Sequence, residues 1–221
     1  MDVCFVSRGK VADFYEHAYE KADVILFGFQ AMGEVSYERE LKGETSYFEE
    51  IARLSRQTSS IVVCGCVTDA KGHKRKSAVV AENGRILGVS DMLNVIDGEV
   101  GSGANLRVYD TKMGKVGVVV AEDLYFPDAI AALALCGAEY IFCPYGEVDG
   151  MERVLCRSSA FYYGLPVALC GGGYSAVAEP TGELSFSSPF SPCVAKIENA
   201  REYHLVETRR RGFYKPPKKE Y

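Results

Sequence analysis

Val24-Ile25-Leu26-Phe27 is four apolar residues without a polar interruption, and similar short runs recur at Val3 to Val6, Val116 to Ala121, Tyr140 to Cys143 and Val167 to Cys170. A strand built from such a run has no wet face, so it needs a covering layer on each side. The covers are legible too. Val11, Phe14, Tyr15, Ala18 and Ala22 fall at helical spacing, which predicts a helix over Lys10 to Lys21. Ser46 and Glu49 have capping-box spacing and predict a helix running to about Gln57. A third helix is expected from about Asp128 to Gly137. A fourth, opened by Asp149 and Glu152, is expected to stop at Gly164 before Leu165-Pro166.

Hairpins interrupt this alternation. Asn83-Gly84 is a two-residue hairpin signal between Ser77 to Ala81 and Ile86 to Val89. Asp69 to His73 is a turn returning from a strand over Ile61 to Val67. A further hairpin pairs Leu106 to Asp110 with Val116 to Ala121, and Pro180-Thr181-Gly182-Glu183 is a turn. Strands alternating with helices and hairpins predict a layered α/β protein with mixed sheets. No linker rich in Pro, Gly or Ser and no internal repeat divides the chain, so one domain over residues 1–221 is expected.

Composition narrows the function classes. Lys and Arg number 25 against 30 Asp and Glu, and six of the basic residues lie in the tail from Arg209. The body is therefore acidic, which argues against nucleic acid as a partner. The longest apolar run, Ala129 to Ala138, is about half of what a membrane-spanning helix needs. Asp2 stands where a signal peptide would carry basic residues. Eight cysteines lie scattered, mostly in apolar runs, as expected of reduced thiols in the cytoplasm. Cys64-Gly65-Cys66 puts two thiols on one face of a strand, where core packing is the expected role. His17, His73 and His204 form no ligand pattern, so neither a metal nor a cofactor is expected. Gly171-Gly172-Gly173 follows a strand without opening a helix and is expected to be a flexible turn rather than a phosphate cradle.

Four pieces of sequence carry a resemblance. They are Ala22-Asp23-Val24-Ile25-Leu26-Phe27; Ala78-Val79-Val80 leading to Gly84-Arg85-Ile86-Leu87-Gly88; Tyr109-Asp110-Thr111 leading to Gly114-Lys115-Val116-Gly117-Val118; and Glu122-Asp123-Leu124-Tyr125-Phe126-Pro127 followed by Ala134-Leu135-Cys136-Gly137-Ala138-Glu139. In this order, with Pro180-Thr181-Gly182-Glu183 after them, they resemble the nitrilase or carbon–nitrogen hydrolase superfamily over nearly the whole chain. The resemblance implies an α-β-β-α sandwich, commonly paired as a homodimer. It also implies a mechanism for hydrolysing non-peptide C–N bonds. A Cys thiolate attacks carbon, a Glu takes the thiol proton and later activates water, and a Lys stabilises the developing oxyanion.

Set against that pattern, the three slots hold other residues. Ala121 stands in the nucleophile slot, and no Cys or Ser occurs between Val116 and Phe126. Phe29 stands in the Glu slot, with Glu34 the nearest acid downstream. The Lys slot falls within Ser90 to Met92, and no Lys occurs between Lys76 and Lys112. The expectation is a nitrilase-like protein without the triad, binding a small molecule or a partner. The competing expectation is an active C–N hydrolase on relocated groups, with Glu122, Asp123, Glu147 or Cys143 converging. Glu122, Asp123, Tyr145 and Glu147 are the candidate binding residues. For each there is a plainer role: Asp123 capping the turn, Glu122 paired or solvated, the loop polar only because it is a loop, and Cys143 a buried, inert thiol.

Overall fold

The computed structural model describes residues 1–14, 21–96, 98 and 100–198. In chain order the elements are β1 (Asp2–Val6), α1 (Val11–Phe14), β2 (Val24–Phe27), β3 (Glu34–Ser36), α2 (Tyr37–Leu41), α3 (Tyr47–Thr58), β4 (Ile61–Ala70), β5 (His73–Glu82) and β6 (Arg85–Asp91). Then follow β7 (Val108–Thr111), β8 (Gly114–Val118), a 3₁₀ turn (Ala121–Tyr125), α4 (Pro127–Leu135), β9 (Tyr140–Pro144), α5 (Met151–Tyr163), β10 (Val167–Gly171), β11 (Tyr174–Ala178), β12 (Leu184–Ser188) and β13 (Cys193–Lys196).

The strands form two mixed sheets. One runs β13-β1-β2-β4-β5-β6, with β3 beside the far end of β4; the other runs β12-β11-β10-β9-β8-β7. Parallel pairing occurs where helices intervene, as in β1–β2, β2–β4, β8–β9 and β9–β10, and antiparallel pairing where hairpins do.

Alternate residues of each run explain the layers. Val3, Phe5, Val24, Leu26, Ile61, Val63, Ala78 and Val80 meet Val116, Val118, Phe142, Ala168 and Val177 in the core between the sheets. The other faces carry Cys4, Ile25, Phe27, Val62 and Cys64 under α1 and α3, and Ile141, Cys143, Val167 and Leu169 under α4 and α5. This is the α-β-β-α sandwich, one helical layer on each outer face.

Local expectations are met at the hairpins and helix ends. Asn83 and Gly84 both take positive φ (52° and 78°), as a type I′ turn requires. α5 ends on Gly164 in the left-handed region. The capping box at Ser46 is a correction: Ser46 makes no side-chain cap bond. Glu40, from α2, accepts from the backbone N–H groups of Tyr47 and Phe48 instead. β3 and α2 fill the stretch between β2 and α3. The rest of the helix predicted over Lys10 to Lys21 falls mainly on residues 15–20, which lie outside the described residues, as do His204 and the basic tail. No helix among the described residues is long and apolar enough to cross a membrane.

Candidate functional site

The segment between β8 and α4 holds a residue in an uncommon backbone conformation. After Val119-Val120 the chain turns sharply at Ala121, whose φ is 48°. A side chain other than glycine's is disfavoured there, and such conformations cluster at functional sites. Ala121 is buried and its methyl group belongs to the core between the sheets.

Phe29 and Met92 belong to that same core, Met92 fully buried and Phe29 packed against its edge. Phe29 follows the end of β2, and its N–H points at the Tyr145 carbonyl. Its ring fits because Gly65 has no side chain: a Cβ there would lie 2.9 Å from Phe29 Cδ2 and 3.1 Å from Pro144 Cβ. Ser90 bonds the Tyr109 hydroxyl at 2.8 Å, and Asp91 accepts from Ser77 Oγ at 2.7 Å.

Two carboxylates follow Ala121 and do different work. Asp123 is fully buried and accepts from Leu93 N (2.9 Å), Asn94 N (2.8 Å) and Asn94 Nδ2 (2.8 Å). Burial pushes its pKa up, against those three donors. Its side chain therefore fastens the loop after β6 instead of capping the turn as expected. Glu122 reaches across to the other sheet, with Oε1 2.5 Å from the Lys76 ammonium; each side chain is 24% exposed. Lys76 precedes Ala78 and Val80 on the inward face of β5, and was missed in the sequence. Strand alternation puts Lys76 on their face, but only the sheet packing shows that this face meets Glu122.

A second network joins the turn to α5. The Tyr145 and Tyr125 hydroxyls lie close enough to act on one another electrostatically. Tyr125 donates to Glu152 Oε1 at 2.8 Å, and Glu152 Oε2 accepts from Asp149 N and Gly150 N at 3.1 and 3.2 Å. Burial opposes charge on Glu152, but its own backbone N–H, Tyr125 and the two loop N–H groups hold the pKa down to about 2. Burial, with Glu152 and Tyr125 nearby, pushes the Tyr145 hydroxyl up. The capping-box spacing of Asp149 and Glu152 is thus used, with Glu152 as acceptor. Glu147 is exposed on the same loop and accepts from Gln30 Nε2 at 3.4 Å.

Cys143 is fully buried. Burial first, then Cys156, Asp123 and Glu122, push its thiol well above 9. Glu122, Asp123 and Cys143 thus act on one another electrostatically, whereas Glu147 sits apart at Gln30. Gly171-Gly172-Gly173 is not a loose turn. Gly171 pairs with Tyr174, while Gly172 and Gly173 take φ of 49° and 73° in a tight hairpin. A Cβ on Gly171 would collide with the carbonyls of Tyr145 and Gly146. Among the described residues no group of three or more His, Cys, Asp or Glu side chains is placed to hold a metal ion.

The sequence profile of the carbon–nitrogen hydrolase family matches residues 8–198. The chain is a member of the carbon–nitrogen hydrolase family. Citrullinase of Francisella tularensis is 36% identical over 98 residues, which are 35% of this chain and 34% of that protein, so the aligned part spans about a third of its length. Among solved structures, Saccharomyces cerevisiae Nit3, of the nitrilase superfamily, superposes with a TM-score of 0.73 at 15% identity, covering 100% of this chain and 97% of Nit3. A variant of the amidase from Nesterenkonia sp. AN1, carrying the Michael adduct of acrylamide at its active-site cysteine, gives 0.75 at 15% identity, with 96% and 97% covered. At such identities the superpositions show the fold, and it is the nitrilase fold.

Proposed function

We propose that this carbon–nitrogen hydrolase family member is non-catalytic and binds a small molecule or a protein partner at the site around Ala121. One observation carries the reading: the turn after β8 is strained, and the residue on it is Ala121, which has no lone pair with which to attack carbon. Its surroundings agree. Phe29, Met92 and Ala121, in the places where the family resemblance calls for Glu, Lys and Cys, share one apolar core. Glu122, a quarter exposed, and the exposed Glu147 then supply polar groups of the binding surface, and the buried Asp123 and Tyr145 hold the segments that carry it.

A second reading has one observation in its favour. Lys76 and Glu122 bring an ammonium and a carboxylate next to the turn, so a hydrolase on relocated groups has a cation and a base. It lacks a nucleophile, since Cys143 is sealed in the core as a neutral thiol.

Incubation with amides, nitriles and carbamoyl compounds separates the two readings, with an active amidase of the family as control. No turnover is expected, and acrylamide should alkylate Cys136, the exposed thiol, without an adduct at Cys143. Turnover abolished by Lys76→Met or Glu122→Gln would replace the first reading with the second.

A further inference from the structure

We propose that the glycine turn between β10 and β11 is the floor of a site for a small zwitterion, a molecule with a carboxylate beside an ammonium, Arg8 taking the carboxylate and Glu147 the ammonium. The inference deepens the binding role proposed above, of which Glu147 is part, by naming the chemistry of the ligand. Gly172 and Gly173 are the two central residues of the turn, and each lies against a different charge. A Cβ on Gly172 would sit 2.9 Å from Glu147 Oε2, and one on Gly173 would collide with the Arg8 guanidinium. The two charges do not neutralise each other. Among the described residues the exposed Arg8 guanidinium has no hydrogen-bond or ion-pair partner, and Glu147 meets only the neutral amide of Gln30, at 3.4 Å.

The backbone fixes this arrangement. Ser191 Oγ grips the Arg8 peptide from both sides, accepting from Arg8 N at 2.9 Å and donating to Arg8 O at 2.8 Å. Glu147 stands on the loop whose first residues, Tyr145 and Gly146, press their carbonyls against Gly171. Arg8, Glu147 and Gly172 all follow the carboxyl ends of strands in parallel pairs, β1, β9 and β10. That is the end at which open α/β sheets bind their ligands. Gln30 also lines a cavity of about 320 Å³ with Lys10, Met32 and Tyr47, so a ligand longer than the turn has space beside it.

Donors outnumber acceptors at the turn. The N–H groups of Gly172 and Gly173 donate to nothing among the described residues, and Gly173 is buried. A buried N–H without an acceptor is rare and costly. Beside a guanidinium, such donors suit an anion, and the planar fork of Arg8 fits a carboxylate. The glycines carry no side chain to hold that group off the peptide. Glu147 decides the rest of the ligand. Its charge opposes a free anion, a phosphate dianion most of all, but attracts a molecule whose carboxylate comes with its own ammonium.

Amide NMR of the nitrogen-labelled chain tests this, with L-alanine as the zwitterion and acetate, inorganic phosphate and ethylamine as single-charge controls. L-Alanine should shift the Gly172 and Gly173 amides saturably, with a dissociation constant of about 1 mM. Each control should bind at least about tenfold more weakly. Arg8→Gln and Glu147→Gln should each weaken L-alanine about tenfold without changing the rest of the amide spectrum. Glu147→Gln should at the same time tighten acetate, an effect that a merely structural role for Glu147 would not produce. No saturable shift by about 50 mM L-alanine would overturn the proposal. So would acetate or phosphate binding as tightly as L-alanine, or shifts that Arg8→Gln leaves unchanged. Turnover of an amide would sink the non-catalytic reading and leave this one standing, whereas a silent turn in this titration would sink this one alone.

Discussion

The Lys76 ammonium lies 2.5 Å from Glu122 Oε1, so the strand next to one edge of the first sheet is joined by an ion pair to the turn at the end of β8 in the second. Both side chains are about a quarter exposed, which places the pair between surface bridges that contribute almost nothing and sealed ones whose rupture is severe.

Lys76→Met should therefore destabilise the fold by about 2 kcal/mol, because it strands the Glu122 charge in a half-dry place. Adding Glu122→Gln should restore most of that loss. Urea unfolding of the two single variants and the double variant measures the coupling; additive losses would show that the pair is decorative.

Acid should find Glu152. Its folded pKa of about 2 lies below the ordinary 4.5, so the folded protein holds fewer protons there than the unfolded chain. The resulting stability is complete above about pH 5 and is lost as pH falls toward 2. Glu152→Gln should lower stability at pH 7 and flatten the decline between pH 5 and 3. Parallel urea midpoints for wild type and variant across that range would remove Glu152 as the cause.

The turn at Ala121 sets two substitutions against each other. Ala121→Gly relieves a left-handed conformation but deletes a buried methyl, so it should change stability by less than about 1 kcal/mol. Ala121→Val adds a β-branched side chain to that conformation inside a packed core and should cost about 3 kcal/mol or more. Thermal unfolding of both variants checks the ordering.

Gly65→Ala should cost about 2 kcal/mol, because its methyl would press on the Phe29 ring. Combining it with Phe29→Leu should recover part of that cost. If Gly65→Ala is equally damaging in both backgrounds, Phe29 is not what limits the space.

Much of this architecture was legible because it rests on local chemistry. Uninterrupted apolar runs mark strands covered on both faces, and Asn83-Gly84 and Gly164 mark a turn and a helix end that other residues tolerate poorly. β12 was missed for a physical reason: Leu184 and Phe186 alternate with Ser185 and Ser187, the pattern of an edge strand with one dry face, too short to stand out from a polar loop. The site was legible in its residue types but not in its pairings. Glu122 and Asp123 were picked out, yet their partners, Lys76 and the Leu93-Asn94 backbone, lie 46 and about 30 residues away in sequence. Such contacts depend on how two sheets are laid together, which no window of sequence contains. The capping role given to Ser46 failed likewise, since Glu40 from the preceding helix already satisfied those donors.

The hairpin at Gly171 leaves room for hydrogen alone against the carbonyls of Tyr145 and Gly146, with Gly28 close on its other flank. Gly28 and Gly171 are both buried, so where the two sheets meet here backbone packs directly on backbone, and neither strand end can gain a side chain. Change is left to the side chains around that seam, among them the exposed pair Gln30 and Glu147.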